Sequence, residues 1–172
     1  MNNIKFNLLG KNKGFDIYIN EKKLENFSEL NYKYDDDNKE VKIKLVQNHI
    51  CDNKNWLFRG MVEFILGLLS GIGGYSDFEE NRGPYRAYCE GFIKANGNEI
   101  INIELKKKRV KRIPLKFTYK FYVNLQNGTS EWNEIKNVFE SPNYLKRRWN
   151  IIRIPYILLS ITALIVLILA FI

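Results

Sequence analysis

The sequence predicts a mainly β protein: an antiparallel, two-sheet β-sandwich with one inserted apolar helix and a C-terminal transmembrane helix. Three observations predict this. Up to about residue 140, several short runs alternate apolar and polar side chains; residues 56–75 interrupt these runs with a long apolar stretch; and residues 154–172 contain no charged side chain. Alternation with period two is typical of a half-buried strand, whereas a sustained apolar run is typical of a helix in a core or a membrane.

Seven strands are predicted, which is enough for two packed sheets. Residues 85–105 read as a hairpin with Asn96-Gly97 at its tip, because that dipeptide supplies the positive φ of a type I′ turn. The clearest strand is LKFTYKFYVNL, residues 115–125, whose apolar side chains share one face. Four strands are predicted before residue 50, and the last of them follows the acidic turn 35–38. Their apolar positions are Ile4, Phe6 and Leu8; Phe15, Ile17 and Ile19; Leu30, Tyr32 and Tyr34; and Val41, Ile43 and Leu45.

The alternation over residues 15–47 resembles that of the small Ig-like sandwich modules of bacterial envelope proteins. The likeness lies in the strand pattern and includes no signature motif, so no family residue is transferred. The resemblance implies an Ig-like arrangement of the two sheets. Abundant Lys, Asn and Ile indicate an AT-rich genome and a bacterial source.

The segment 154–172 predicts a membrane anchor. Its 19 residues form a helix about 28 Å long, close to the hydrocarbon thickness of about 30 Å. The alternative is a buried core helix or a terminal strand. Basic residues before the segment predict that this side is cytoplasmic, and no signal peptide precedes the first strand. The expected lipid-contacting residues of this flank are Lys146, Arg147, Arg148, Trp149 and Arg153.

The domain organisation follows from these segments. Residues 1–140 are expected to form the sandwich domain in the cytoplasm, residues 141–150 a basic juxtamembrane segment, and residues 151–172 the anchor of a single-pass, tail-anchored protein. Within the first of these, residues 56–75 form the inserted helix. Ser141-Pro142 resembles an N-cap and first helical position before the anchor.

The helix expected over residues 56–75 carries a narrow stripe of small and polar residues on an apolar surface. This pattern permits three interpretations of residues 56–75: a core helix with Glu63 paired to Arg59, an interfacial or re-entrant helix in the cytoplasmic leaflet, or a second membrane span. The interfacial interpretation is favoured because the anchor holds the domain near the bilayer. The expected helix-packing residues are Gly67, Gly71 and Gly74, with Ser160 and Ala163 on the anchor.

The run KKKRVKR, residues 106–112, is expected in a connection between two strands. It could be a solvated loop, a contact with anionic lipid headgroups, or a site for nucleic acid or another polyanion. Lysine prevails over arginine, which favours point-charge attraction over bidentate recognition of bases. The expected lipid-contacting residues are Lys106, Lys107, Lys108, Arg109, Lys111 and Arg112.

Catalytic and metal signatures are weak. His49 and Cys51 would share a strand face, so a Cys–His pair is conceivable, and so is a metal site from His49, Cys51, Asp52 and Cys89. A structural role is favoured for all of these residues, and no cofactor is predicted. The two cysteines are expected to be reduced thiols.

The leading hypothesis is therefore a non-enzymatic interaction or scaffold subunit at the cytoplasmic membrane face, with anionic lipid and a protein or membrane complex as partners. Two alternatives remain open: a membrane-bound enzyme using Cys51 and His49, and a nucleic-acid binder using residues 106–112.

Overall fold

The computed structural model describes residues 2–9, 14–24, 31–34, 40–69, 83–94, 97–109, 117–126 and 130–170. The chain forms two compact units. The sandwich unit comprises Met1–Asn48 and Arg86–Glu140, and the helical unit comprises His49–Tyr85 and Ser141–Ile172. The predicted acidic turn at residues 35–38 lies outside the described residues.

The sandwich unit is built from two sheets. One has the strand order β4-β1-β7-β8, and the other β3-β2-β5-β6-β9. Each sheet buries one face, so buried side chains alternate with less buried ones along its strands, as the pattern along β2 and β6 illustrates. The described strands are β1 Asn2–Leu9, β2 Phe15–Ile19, β3 Lys22–Lys23, β4 Asn31–Tyr34, β5 Glu40–Gln47, β6 Arg86–Lys94, β7 Glu99–Arg109, β8 Phe117–Gln126 and β9 Trp132–Glu140.

Both sheets contribute to one hydrophobic core. Phe6 and Ile103 enter it from the first sheet, and Ile17 and Ile43 from the second. The predicted mainly β fold with two packed sheets is therefore confirmed. The apolar residues predicted to share one face of β8 also lie inward, since Phe121 is buried and Val123 and Leu125 pack against the same core.

The prediction of purely antiparallel sheets is wrong. β1 pairs with β7 in parallel, from Ile4 opposite Glu99 to Leu9 opposite Glu104. The other described strand pairs are antiparallel. A parallel pair between the first strand and a late one cannot be read from local alternation, because each strand has the same period in either direction.

The predicted hairpin over residues 85–105 is also wrong. β6 and β7 lie in different sheets, so the segment that connects them changes sheet instead of turning back. Gly97 keeps a positive φ of 92°, while Asn96 lies outside the described residues. A two-residue turn with positive φ at both positions occurs instead at Asn20 and Glu21, between β2 and β3.

Nine strands are present among the described residues, against seven predicted. The prediction missed the two-residue β3 and the long β9. β9 pairs with β6 through a bulge at Glu90 and Gly91, which breaks the alternation along WNEIKNVFE. A Cβ at Gly91 would lie 2.4 Å from Cζ2 of Trp132, so this close approach requires glycine.

The described part of the helical unit contains a short 3-10 turn, Ile50–Asp52, and two helices, α1 Trp56–Leu69 and α2 Asn143–Ala170. Ser141 was expected as the N-cap and Pro142 as the first helical residue, but α2 begins one residue later, at Asn143. The Pro142 carbonyl accepts the hydrogen bond from the Lys146 N–H at 3.1 Å, so Pro142 occupies the capping position. α2 continues through Pro155, which lies inside the helix.

Candidate functional site

The second half of α2 exposes large apolar side chains. Their positions span about 200° of the helix circumference at roughly 100° per residue. A helix packed in a core gathers such residues on one buried stripe, whereas these side chains are exposed. The exposed fractions run from 48% for Leu159 to 68% for Leu169, and the set is Ile154, Ile157, Leu158, Leu159, Ile161, Ile165, Val166, Ile168 and Leu169.

The polar group described in this segment is satisfied within the helix. Thr162 is exposed, and its Oγ1 donates to the Leu158 carbonyl at 2.9 Å. Such a bond leaves no donor that needs water, as an apolar environment requires.

Within the residues that the structure describes, no helix combines the length and the apolar composition needed to cross a bilayer.

α1 also presents an apolar surface. Phe58 is 67% exposed and Met61 54% exposed, and Leu57, Val62, Ile65 and Leu66 are exposed beside them. The opposite side of α1 packs on α2 through Gly60, which is buried against Ile152. A Cβ built on Gly60 would lie 2.7 Å from Cγ1 of Ile152, so the absence of a side chain lets the helices approach closely.

Replacement of Gly60 by valine is therefore expected to destabilise the α1–α2 contact by about 1–3 kcal/mol, because the added methyl groups overpack Ile152. Thermal unfolding of the purified protein, followed by helical circular dichroism, measures the change. The double variant Gly60→Val/Ile152→Ala should recover part of the loss, since the second change makes room for the first. Additive losses in the double variant would show that the two residues do not pack as described.

The base of α2 is held by a small core around Trp149. Trp149 is 7% exposed, and it packs with Cys51, Leu145 and Ile152. Its ring meets the His49 ring edge-on, with centroids 5.8 Å apart. This core fixes the start of the long helix to the 3-10 turn of the same unit.

His49 connects two backbone segments of the helical unit. Its Nδ1 accepts from the Cys51 N–H at 3.0 Å, and its Nε2 lies 2.8 Å from the Gly83 carbonyl oxygen. Because a carbonyl only accepts, Nε2 carries the proton and the ring is the neutral Nε2–H tautomer. Both ring nitrogens are thus used in holding the turn.

Arg148 is also bound within the protein. Its guanidinium donates to the Cys51 carbonyl and lies over the rings of Trp56 and Tyr144, at 5.4 Å and 5.8 Å from their centroids. The Tyr144 hydroxyl donates to Asp52 at 2.6 Å. A planar cation over aromatic rings is a favourable packing element.

The structure does not pair the Cys51 thiol with the His49 imidazole as a nucleophile and base would require. Burial raises the pKa of Cys51 to about 11, with a further contribution from the negative charge of Asp52. Burial likewise raises the pKa of Cys89 to about 12. Cys89 lies in the core of the sandwich unit, whereas Cys51 lies in the core of the helical unit. No group of three metal-binding side chains occurs in the described part of the chain.

The predicted basic loop begins as a strand. β7 extends to Arg109, so Lys106, Lys107 and Lys108 are paired with β8 and exposed. The expectation of a connecting segment from residue 106 onward is therefore wrong. Pairing with β8 continues to Phe117, opposite Arg109. Lys111, Arg112 and the side chain of Arg109 lie outside the described part of the structure.

The basic residues at the start of α2 differ in their surroundings. Lys146, Arg147 and Arg153 are exposed. Arg148 instead donates to the Cys51 carbonyl, and Trp149 packs in the small core. These contacts within the protein explain the positions of both side chains without a lipid contact. Three of the five residues predicted for lipid contact on this flank are therefore available at the surface.

The residues predicted for helix packing are not those described at the contact. Gly71 and Gly74 lie outside the described residues, as do the side chains of Ser160 and Ala163 and the surroundings of Gly67. The described contact uses Gly60 and Ile152. The sequence could have indicated a packing role for Gly60. This glycine lies seven residues, or two turns, before Gly67 and therefore on the same side of the helix.

In its described part, the fold defines a protein with a β-sandwich unit and an apolar helical unit in one chain. No protein-family model matches the chain, and no curated protein or solved structure matches it significantly.

Proposed function

We propose that this protein is a membrane-anchored, non-enzymatic interaction module, in which the helical unit enters the bilayer and an Ig-like sandwich presents a binding surface at the cytoplasmic face. Its partner would be a protein or a larger membrane complex. The exposed apolar arc on the second half of α2 is the observation that carries the proposal. Soluble monomers rarely leave so large a contiguous apolar surface in water.

Transfer of that arc into lipid is energetically favourable. Leu, Ile and Val contribute roughly −0.3 to −0.6 kcal/mol each on an insertion scale, so the nine exposed residues from Ile154 to Leu169 favour the bilayer by about 3–5 kcal/mol. The internally bonded Thr162 adds no penalty for an unsatisfied donor.

α1 supports an interfacial position beside α2. It packs through Gly60 against Ile152, just before the apolar half of α2, so both apolar surfaces meet at the same level. α1 also carries Arg59, which is exposed in its first turn. A short apolar helix with a charged residue and a bulky aromatic side chain, here Phe58, is suited to the boundary between headgroups and acyl chains.

The exposed cations Lys146, Arg147 and Arg153 support a cytoplasmic position for the amino-terminal end of α2. The non-enzymatic role is supported by the use of His49 and the Cys51 region in packing, and by the raised pKa of the buried thiol, which keeps it protonated at neutral pH.

Extraction of membranes with alkaline carbonate tests the proposal. The full chain is expected to remain in the membrane pellet, whereas Leu158→Lys/Ile165→Lys should move most of it to the supernatant, because each lysine near a helix centre costs about 2.5–3.5 kcal/mol. Ile135→Lys is the matched control: Ile135 is 60% exposed on β9 of the sandwich unit, and this variant should stay in the pellet. Release of the unmodified chain by carbonate would overturn the proposal, and digestion of its sandwich unit by protease outside intact cells would overturn the orientation.

A further inference from the structure

The outer face of the β4-β1-β7-β8 sheet is strongly cationic. Residues on this face alternate with inward residues such as Phe6 and Ile103. Five lysines stand on it against one glutamate, a net charge of +4 among the described strands. The charged residues of this cationic sheet face are Lys5, Lys33, Glu104, Lys106, Lys108 and Lys120.

The register concentrates positive charge at one end of the face. Lys106 stands directly opposite Lys120, and Lys108 lies two residues further along β7. Like charges directly opposite on neighbouring strands destabilise a sheet. Lys106 also binds Glu104 at 3.0 Å and lies over the Tyr122 ring at 5.1 Å, so the glutamate offsets only part of the charge.

The outer face of the other sheet has a different balance. Four ion pairs are described there: Lys23 with Asp16, Lys42 with Glu90, and both Arg86 and Lys136 with Glu140. Hydrogen bonds from Lys42 and Tyr88 lower the pKa of Glu90, which keeps that carboxylate charged. Counted over its described strands, this second face carries six cations against four carboxylates, a net charge of +2, which is half the excess on the cationic sheet face.

We propose that the cationic sheet face binds the anionic phospholipid headgroups of the membrane that holds α2. This inference rests on the proposed function, which places α2 in a membrane. It extends the predicted lipid contact from residues 106–112 to lysines on all four strands of the sheet. Headgroup phosphates attract point charges spread over a flat surface, as lysines provide. Binding of single-stranded nucleic acid would use aromatic stacking platforms, and the exposed aromatic ring described on this face, Tyr122, is covered by Lys106.

A distance measurement in reconstituted vesicles tests the proposal. The full chain carries a dye on Asn124→Cys, an exposed position of the cationic sheet face, and the vesicles carry an acceptor on a lipid headgroup. Because Cys51 and Cys89 are buried, the dye reports the new cysteine. Energy transfer should be stronger in vesicles with phosphatidylserine than in phosphatidylcholine alone, and high salt should abolish the difference. A dye on Ile135→Cys should show no such dependence.

Charge reversal gives the matched comparison. Each lysine near an anionic surface contributes about fivefold in affinity, so Lys108→Glu/Lys120→Glu should weaken docking at least about tenfold. Lys22→Glu changes an exposed lysine of the other sheet and is the charge-matched control for Lys108→Glu alone, so it should retain docking. Lys120→Glu alone should raise the unfolding midpoint by about 2–4 °C, because a glutamate opposite Lys106 removes the like-charge pair. Lys120→Glu alone should also weaken docking, and a weaker contact in this more stable single variant cannot be attributed to misfolding.

Other outcomes separate the two proposals. Equal energy transfer in both kinds of vesicle, from a chain that resists carbonate, overturns lipid binding and leaves the anchor intact. If carbonate releases the chain, sedimentation of the released protein with phosphatidylserine vesicles decides: salt-sensitive binding supports the lipid site, and no binding overturns it. If a short RNA at matched phosphate concentration abolishes the phosphatidylserine-dependent energy transfer, the face is assigned to nucleic acid and the proposal is overturned.

Discussion

Replacement of Trp149 by alanine is expected to expose the Cys51 thiol to maleimide at neutral pH. Trp149 closes the small core of the helical unit, in which Cys51 is fully buried. Removal of a buried indole costs about 3–5 kcal/mol, a large loss for a core of four described buried residues. In the unmodified protein, burial blocks access and raises the pKa of Cys51 to about 11, so the reactive thiolate is scarce. Labelling followed by peptide mass mapping measures the effect.

Asn150→Ala provides the control for this experiment. Asn150 is the next residue of α2 and is exposed, so its replacement should leave Cys51 protected. Cys89 belongs to the core of the sandwich unit and should remain unlabelled in both variants. Equal protection of Cys51 in Trp149→Ala and in the unmodified protein would show that the indole does not hold the 3-10 turn in place.

Replacement of Phe121 by alanine should have the opposite pattern. Phe121 is 1% exposed in the core of the sandwich unit, and its ring meets the Phe15 ring edge-on at 5.2 Å. Removing it leaves a cavity between the two sheets and costs about 3–5 kcal/mol. The Cys89 thiol, whose pKa burial raises to about 12, should become reactive while Cys51 stays protected. Denaturant unfolding gives the matching free energy.

Tyr122→Ala controls for the loss of an aromatic ring from β8. Tyr122 follows Phe121 directly, lies on the outer face and is 41% exposed. Its replacement should change the free energy of unfolding by less than about 1 kcal/mol, since it removes little buried area. If Cys89 were labelled to the same extent in Phe121→Ala and in Tyr122→Ala, the assignment of inward and outward faces on β8 would be wrong.

The two thiols thus report on the two units separately. Their different responses would show that each core can open without the other. This behaviour suits the proposed function, because a module held by its helices in lipid needs a sandwich that stays folded on its own core.

Local periodicity was sufficient to predict five strands of the sandwich unit nearly residue by residue. β2, with Phe15, Ile17 and Ile19 buried and Asp16 and Tyr18 between them, follows directly from alternation. β9 could not be predicted in this way, because its bulge opposite Glu90 and Gly91 places successive side chains out of phase and leaves Ile135 exposed.

For α2 and the residues at its start, the sequence predicted which residue types lie at the surface but not which contacts they make. The exposed apolar surface of α2 and the exposed cations Lys146, Arg147 and Arg153 agree with what the residue types indicate. The roles of Arg148 and Trp149 could not be predicted, since their partners come from the 3-10 turn about 97 residues away in the sequence. Residue type alone does not distinguish a tryptophan at a lipid interface from one in a small core.

The sequence by itself determined the strand faces, the apolar helices and the excess of basic residues, because each depends on side chains within a few residues of one another. Only the tertiary structure decided which strands pair, that β1 runs parallel to β7, and that Lys106 faces Lys120. Those outcomes depend on contacts between distant segments, where hydrophobic burial selects one pairing among several that have the same local pattern.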